Sequence, residues 1–279
     1  MSALSILILL IAIAIFSLAV VSFINEREKR QKLLRKKLNQ VKRKSSELEE
    51  LVVELDQLVE SRAIPRIINE DIIEMLAAAK ESGEDATFLQ ASYQAAIGRH
   101  DVLSDENRDK VYDRLKESDK QIAQAQGYLK EAGRIIRKQQ GSGKISLEEM
   151  NAFIGELAWA HLTTEVITFI GQGHKAMNRN DVLSAHAFYR KAQQLLANSA
   201  HTNPQRHRMI KELSDMMAGK RKALSSELMP EKQYNPGDDG TTSFSIDEQL
   251  QETEAAEEAE SSTESSAEEA ALDNENSAS

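Results

Sequence analysis

Two glycine-containing motifs in this chain have the spacing of nucleotide-binding loops. Residues Gly171 to Ala176 follow the pattern G-x-G-x-x-A after a largely apolar run, and residues 141–144 (Gly-Ser-Gly-Lys) are similar to the end of a phosphate loop. The first pattern requires a βαβ unit and an acidic residue about 20 positions further on. The second requires Ser or Thr where Ile145 stands. Because both contexts are missing, we interpret the first motif as part of a helix and the second as a linker.

Other side chains capable of catalysis or metal binding are scattered along the sequence. None of the six His residues belongs to an HExxH pair, and the absence of Cys excludes a thiolate nucleophile and a cysteine-ligated zinc ion. The sequence therefore predicts no catalytic residue, no cofactor and no metal site, and we expect a protein that is not an enzyme.

The composition indicates which elements carry these residues. The 279 residues include only 4 Pro, 12 Gly and 5 % aromatic residues. No segment alternates apolar and polar residues over the length of a strand. These features predict an all-α protein.

The first predicted element is an uncharged segment at residues 2–24, in which fifteen residues are Leu, Ile, Val or Phe. As a helix it spans about 34 Å, enough to cross a hydrocarbon core that is about 30 Å thick. The run is longer than the core of a signal peptide and no Lys or Arg precedes it. We predict an uncleaved transmembrane anchor at residues 1–25.

A basic block follows directly, with ten basic and two acidic residues in 26–44 and a net charge of +8. Because positive residues flank the cytoplasmic end of a membrane helix, we expect an external amino terminus and a cytoplasmic remainder, as in a bacterial inner-membrane protein. The block either serves only as this topology signal or also contacts anionic lipid. The residues that would make the lipid contact are Arg27, Lys29, Arg30, Lys32, Arg35, Lys36 and Lys37.

Apolar residues recur at alternating spacings of four and three within residues 26–62. The positions of this seam are Leu34, Leu38, Val41, Ser45, Leu48, Val52, Leu55 and Val59. The period predicts a coiled-coil stalk through which copies of the chain self-associate. Leu51 and Leu58 widen the stripe, so docking on the protein's own helices is the alternative.

Residues 63–229 predict a cytoplasmic helical domain. Pro65 can begin one helix, and a long polar helix is expected from Ser104 to Gln139. Residues 146–149 (Ser-Leu-Glu-Glu) form a capping box, in which the Ser hydroxyl and the last Glu satisfy open backbone N–H groups. Residues 203–204 (Asn-Pro) mark the start of the last helix.

Residues 166–199 carry the pattern of two helices that pack closely through small residues, with a turn at 178–181. The small residues and the large one between the helices are Gly173, Ala185, Ala192 and Tyr189. In these positions the segment resembles one tetratricopeptide repeat. It departs from the repeat at Gln172, Ala176 and Ala197. Because such repeats usually need about three copies to bury their faces, neighbouring helices would have to complete the stack.

The resemblance implies a groove that binds short peptides or helices of other proteins. Its lining on the first helix would be Ile167, Ile170, His174, Met177 and Asn178. The alternative is that this face packs against the preceding helices as core.

The tail at residues 230–279 is predicted to be disordered. From residue 231 onward it holds fifteen acidic residues and one basic residue, and such a composition buries too little apolar surface to fold. Phe244, Ile246 and Leu250 form an apolar island, which is either a docking motif or part of a solvating tail. The tail could also compete for the basic block. Its acidity argues against nucleic acid as a partner.

Together these features predict a membrane-anchored, non-catalytic scaffold or adaptor that holds partner proteins near the bilayer. One alternative is an accessory or regulatory subunit of an inner-membrane complex, in envelope assembly or division. Another is an enzyme whose site is assembled from dispersed residues.

Overall fold

The computed structural model describes residues 3–81, 87–231 and 235, with side chains from residue 22 onward. All regular secondary structure in these ranges is helical, which confirms the predicted all-α class. The helices there are α1 (Ala3–Leu58), α2 (Ala63–Glu81), α3 (Thr87–Ser104), α4 (Asp119–Gly141), α5 (Leu147–Met177), α6 (Val182–Asn198) and α7 (Gln205–Met217).

Two predicted segments fall largely outside this description. The side chains of residues 1–21, which make up most of the predicted anchor, are not among the described ones, and neither are residues 236–279 of the predicted tail. Within the described residues, no helix combines the length and the hydropathy needed to cross a membrane.

The chain divides into two compact units, of which the first comprises Met1–Val53 and Pro65–Asn107. In this unit Asn69 of α2 is fully buried, and its Nδ2 donates to the carbonyl of Ala96 on α3 at 2.8 Å. Arg99 of α3 donates to Asn69 Oδ1 at 2.9 Å and pairs with Glu49 of α1 at 3.6 Å. These polar contacts fix the register of α2 and α3 and tie α3 to α1.

The apolar seam on α1 changes from exposed to buried along the helix. Leu34 is 37 % exposed, whereas Ser45 and Val52 are 3 % and 1 % exposed. Burial continues through residues 52–59 at every seam position. A single chain thus covers the second half of the seam, as the alternative of internal docking requires. Self-association through the first half stays a prediction.

The second unit comprises Glu54–Ile64 and Arg108–Ser279. Its central element is α5, against which both α4 and α6 pack, while α7 packs against α6. Fourteen of the twenty positions of α5 from Leu157 to Ala176 are buried. The segment after α7 adds three more core side chains, those of Leu224, Leu228 and Met229. This arrangement makes the α5–α6 hairpin the centre of the unit.

The capping box at the start of α5 forms as the sequence predicts. The hydroxyl of Ser146 accepts from the backbone N–H of Glu149 at 3.1 Å, and the Glu149 carboxylate accepts from the Ser146 N–H at 2.8 Å. The helix α7 starts one position later than the Asn-Pro signal predicts, with Pro204 at the N-cap, and the side chain of Asn203 accepts from the N–H of Gln205 at 2.8 Å. Side chains thereby satisfy backbone donors that a helix start leaves open.

The long helix predicted from Ser104 to Gln139 is wrong. Here α3 ends at Ser104, α4 begins at Asp119, and residues 105–118 between them are not helical. The Ser118 hydroxyl accepts from the N–H of Gln121 at 3.4 Å and so begins α4. Val111, which the helical pattern assigned to the apolar side, is 74 % exposed. Residues 105–118 are held instead by hydrogen bonds to distant parts of the chain.

Candidate protein-binding site

The α5–α6 hairpin has the close interface that its small residues predict. A Cβ atom built on Gly173 would lie 2.7 Å from Cδ1 and 3.0 Å from Cζ of Tyr189. Ala185 and Ala192 of α6 are fully buried. In the turn, Asn180 takes the left-handed conformation with φ 59°, and the side chain of Asp181 accepts from the N–H of Ser184. The contact between the helices therefore depends on a missing side chain at position 173.

The structure places the five residues of the predicted groove in two different environments. Ile167 and Ile170 are fully buried, and His174 is 2 % exposed. Met177 is half-buried at the end of α5, and Asn178 is exposed in the turn. Only Met177 and Asn178 therefore offer surface at the hairpin tip, while the other three belong to the core.

His174 is part of a buried polar group between α5 and α6. Its Nδ1 lies 2.9 Å from the Tyr189 hydroxyl. Burial lowers the pKa of His174 to about 4, against a smaller opposing effect of the Asn235 side chain, so the ring is neutral at pH 7. His174 Nε2 and Asn235 Oδ1 make no well-aligned hydrogen bond among the described residues, although the two side chains are close enough to interact. Burial also raises the pKa of Tyr189.

An extended segment, residues 109–117, lies along the face of α5 that carries Thr168 and Gly171. The backbone N–H of Lys116 donates to Thr168 Oγ1 at 3.0 Å. A Cβ atom on Gly171 would lie 2.5 Å from Cδ1 of Leu115, so this glycine lets the segment approach the helix. The chain thus covers this face of α5 with its own backbone, and the sequence analysis missed this contact.

A buried ion pair fixes the same segment to the residues after α7. Arg114 Nε and Glu231 Oε1 are 2.8 Å apart, with the two side chains 6 % and 5 % exposed. A second Arg114 nitrogen donates to Glu231 Oε2 at 3.1 Å and to the carbonyl of Leu228 at 3.3 Å. Such a two-point contact is geometrically specific. Residue 231 therefore belongs to the folded unit, although the sequence analysis placed it in the disordered tail.

Further titratable groups surround the start of the extended segment. Lys110 donates to the carbonyl of Glu60 at 3.1 Å, and burial lowers its pKa despite the nearby carboxylate of Asp56. Burial also raises the pKa of Glu156, whose carboxylate accepts from the N–H of Ser61. The Lys110 contact therefore fastens the segment to residue 60, and the Glu156 contact fastens α5 to residue 61.

A polar cleft of about 360 Å³ opens where the extended segment meets α4. Its lining consists of Glu54, Asp113, Leu115, Lys116, Glu117, Gln121, Gln124, Ala125 and Tyr128. Lys116 Nζ pairs with Asp113 Oδ2 at 3.0 Å, and Gln124 donates to the Tyr128 hydroxyl at 2.8 Å. No group of three or more His, Asp or Glu residues within the described ranges is arranged to hold a metal ion.

The seven residues predicted to contact lipid are all exposed on α1. Arg30 pairs with Glu26 at 3.0 Å and Lys32 with Glu28 at 3.5 Å. Arg27 lies over the ring of Phe23, at 5.4 Å from its centre. Within the described part of α1, the cations without a carboxylate in contact are Arg27, Lys29, Arg35, Lys36, Lys37, Lys42 and Lys44. Of these, Lys42 lies over the ring of Phe88, at 5.5 Å from its centre.

Comparison with known proteins adds no relative: no family model, no curated protein and no solved structure matches this chain.

Proposed function

We propose that this chain is a membrane-anchored, non-catalytic scaffold that holds partner proteins close to the cytoplasmic face of a bilayer. The observation that carries the proposal is the continuity of α1. One helix, α1, runs from Ala3 to Leu58. It therefore contains nearly all of the uncharged run and also part of the first unit, where it lies with α2 and α3. If the run spans the membrane, this unit is held at its surface without a flexible linker.

The hairpin supports the binding part of the proposal. Its helices pack closely at Gly173 and Tyr189, which is the kind of contact that the resemblance to a tetratricopeptide repeat requires. Its tip presents Met177 and Asn178, which is the part of the predicted groove that a partner could reach. Anchoring raises the effective concentration of such a surface, so a weak contact is sufficient for recruitment.

The anchor is tested by extracting membranes with alkaline carbonate. The full chain is expected to remain in the membrane pellet, and a variant that begins at residue 26 is expected in the supernatant. Release of both would contradict the anchor. A tag at each end, combined with protease protection, tests whether the amino terminus lies outside.

The binding surface is tested by affinity capture of the tagged chain from membranes. A Met177→Ala/Asn178→Ala variant is expected to lose partners that the parent chain retains. Leu147→Ala is the matched control, because Leu147 is an exposed apolar residue at the other end of α5. If both variants lose partners equally, or if neither loses any, the hairpin tip is not the binding site.

The same helix α1 also favours a second candidate, an accessory subunit of an inner-membrane complex. In that case the segment at residues 2–24 itself contacts a membrane partner. The two candidates differ in the effect of replacing residues 2–24 with an unrelated membrane helix. A scaffold would keep its partners, whereas an accessory subunit would lose them.

A further inference from the structure

The middle of α1 presents an apolar strip between two rows of cations. Leu34 is 37 % exposed, and Leu38 and Val41 are half-buried. The flanking positions are occupied by Arg35, Lys37, Lys42 and Lys44. We call these seven residues the distal basic face. Its pairing is incomplete, because Arg35, Lys37 and Lys44 contact no carboxylate among the described residues.

The length of α1 separates this face from the bilayer. This step rests on the proposed anchor. A helix rises about 1.5 Å per residue, so Arg35 lies about 16 Å beyond residue 24 and Lys44 about 30 Å beyond it. Charges in water are screened over about 8 Å at physiological ionic strength. Arg27 and Lys29 are within reach of lipid headgroups, and Arg35 and Lys37 lie at the limit of that reach. Lys42 and Lys44, at the far end of the distal basic face, are too far away to be held by lipid.

A second copy of α1 does not suit the face either. In the seven-residue repeat of a parallel coiled coil, the two apolar seam positions are called a and d. The residue just before each a position faces the residue just after the next d position of the partner helix. With Leu38 at a and Val41 at d, this rule places Lys37 opposite Lys42. The resulting repulsion opposes the predicted self-association through this part of the seam.

We propose that the distal basic face binds an acidic segment with a short apolar centre, and that residues 241–258 of a second copy of this chain supply it. This segment contains six carboxylates and no Lys or Arg, and it carries Phe244, Ile246 and Leu250. Its charge complements the face, and its apolar residues match the exposed strip. Copies held in one membrane meet at high effective concentration, which compensates for a weak contact.

The test measures binding of a fluorescent peptide with the sequence of residues 241–258 to the full chain in lipid nanodiscs. Each nanodisc holds several copies of the chain. The peptide is expected to bind, and more tightly to copies that end at residue 237, because no neighbouring copy then supplies a competing tail. With a single copy in each nanodisc, shortening the tail is expected to make no difference, and a gain in affinity there would overturn the assignment to a second copy. Arg35→Glu/Lys37→Glu/Lys44→Glu is expected to weaken binding by at least about ten-fold, since three favourable ion pairs become repulsive. Circular dichroism verifies that the variant keeps its helix content.

Lys120→Glu/Lys130→Glu/Lys138→Glu is the matched control, because it makes the same charge change at exposed positions of α4. The proposal is overturned if both variants weaken binding equally, if neither does, or if shortening the tail leaves the affinity unchanged in nanodiscs that hold several copies. It is also overturned if phosphatidylserine in the nanodisc weakens peptide binding as strongly as the α1 variant, because lipid would then be the occupant. Carbonate extraction of the same chains reports on the anchor independently.

Discussion

A methyl group added at Gly173 tests the packing of the hairpin most sharply. The new Cβ would lie 2.7 Å from Cδ1 of Tyr189 and nearer still to Cε1. The ring has no free direction to move, because Tyr189 is 2 % exposed and its hydroxyl is in hydrogen-bond contact with His174. Accommodating the methyl group therefore requires that this contact or the helix spacing change.

The magnitude follows from three opposing contributions. Alanine in place of glycine inside a helix stabilises it by about 1 kcal/mol. Overpacking of a buried site costs about 1–3 kcal/mol, and a lost buried hydrogen bond costs about 1–3 kcal/mol more. We expect Gly173→Ala to lower the free energy of unfolding by about 1–5 kcal/mol.

Urea denaturation of the purified chain measures the effect. Gly155→Ala is the control, because Gly155 lies on the same helix and its Cβ would meet no atom within 4 Å. The control is expected to be stabilised by a few tenths of a kcal/mol to about 1 kcal/mol. The packing argument is refuted if both variants gain stability equally.

Three further predictions concern the buried polar groups. Glu231→Gln leaves Arg114 without its buried charge partner and should lower the free energy of unfolding by about 3–5 kcal/mol in urea denaturation. Glu227→Gln, which breaks an exposed pair with Arg208, should change it little. Equal effects of the two variants would contradict the burial of the Arg114–Glu231 pair. Burial lowers the pKa of His174 from its ordinary value of 6.5 to about 4 in the folded protein, so the unfolded chain takes up a proton at this residue first as the pH falls below 6.5. As the pH is lowered, the free energy of unfolding should therefore fall more steeply in the parent chain than in His174→Gln, by up to about 1.4 kcal/mol per pH unit. Parallel stability profiles between pH 7 and pH 5 would be inconsistent with a buried neutral ring. Thr168→Val leaves the N–H of Lys116 without its acceptor and should lower the free energy of unfolding by about 1–3 kcal/mol. Thr168→Ser, which keeps the hydroxyl, should lower it less. The reverse order would exclude the hydrogen bond as the cause.

The elements that the sequence predicts well are specified by contacts within a few residues. The capping box of Ser146 and Glu149 requires only a hydroxyl and a carboxylate three positions apart. The helix beginning near Pro65 and the hairpin turn before Asp181 are likewise local. In each case the signal and the structure that it specifies lie in one short segment, so no knowledge of the fold is needed.

The non-helical connection at residues 105–118, which contains the extended segment, was missed because its causes are not local. Its backbone groups bond to Gln57 and Thr168, which lie about 50 positions away in the sequence. One local signal was present, since Ser118 and Gln121 have the spacing of a helix start. Recognising it would have divided the predicted helix correctly and left residues 105–117 as a connection.

The predicted groove shows the limit of a repeat pattern taken alone. The spacing of Ile167, Ile170 and His174 identifies one face of α5, but it does not say whether a partner or the chain itself covers that face. In the structure the chain covers it, and the partner-accessible part contracts to Met177 and Asn178. The seam on α1 presents the same ambiguity, since a coiled coil and a bundle helix both need an apolar stripe.

The scaffold proposal is tested most directly by replacing residues 2–24 with an unrelated membrane-spanning helix and comparing cross-linked partners captured from membranes. We predict that the parent and the replaced chain capture the same proteins in similar amounts, because the helical units would do the binding and the anchor would only place them at the membrane. Loss of those partners from the replaced chain would contradict the scaffold and identify an accessory membrane subunit. No partner above the level of an untagged control would contradict both.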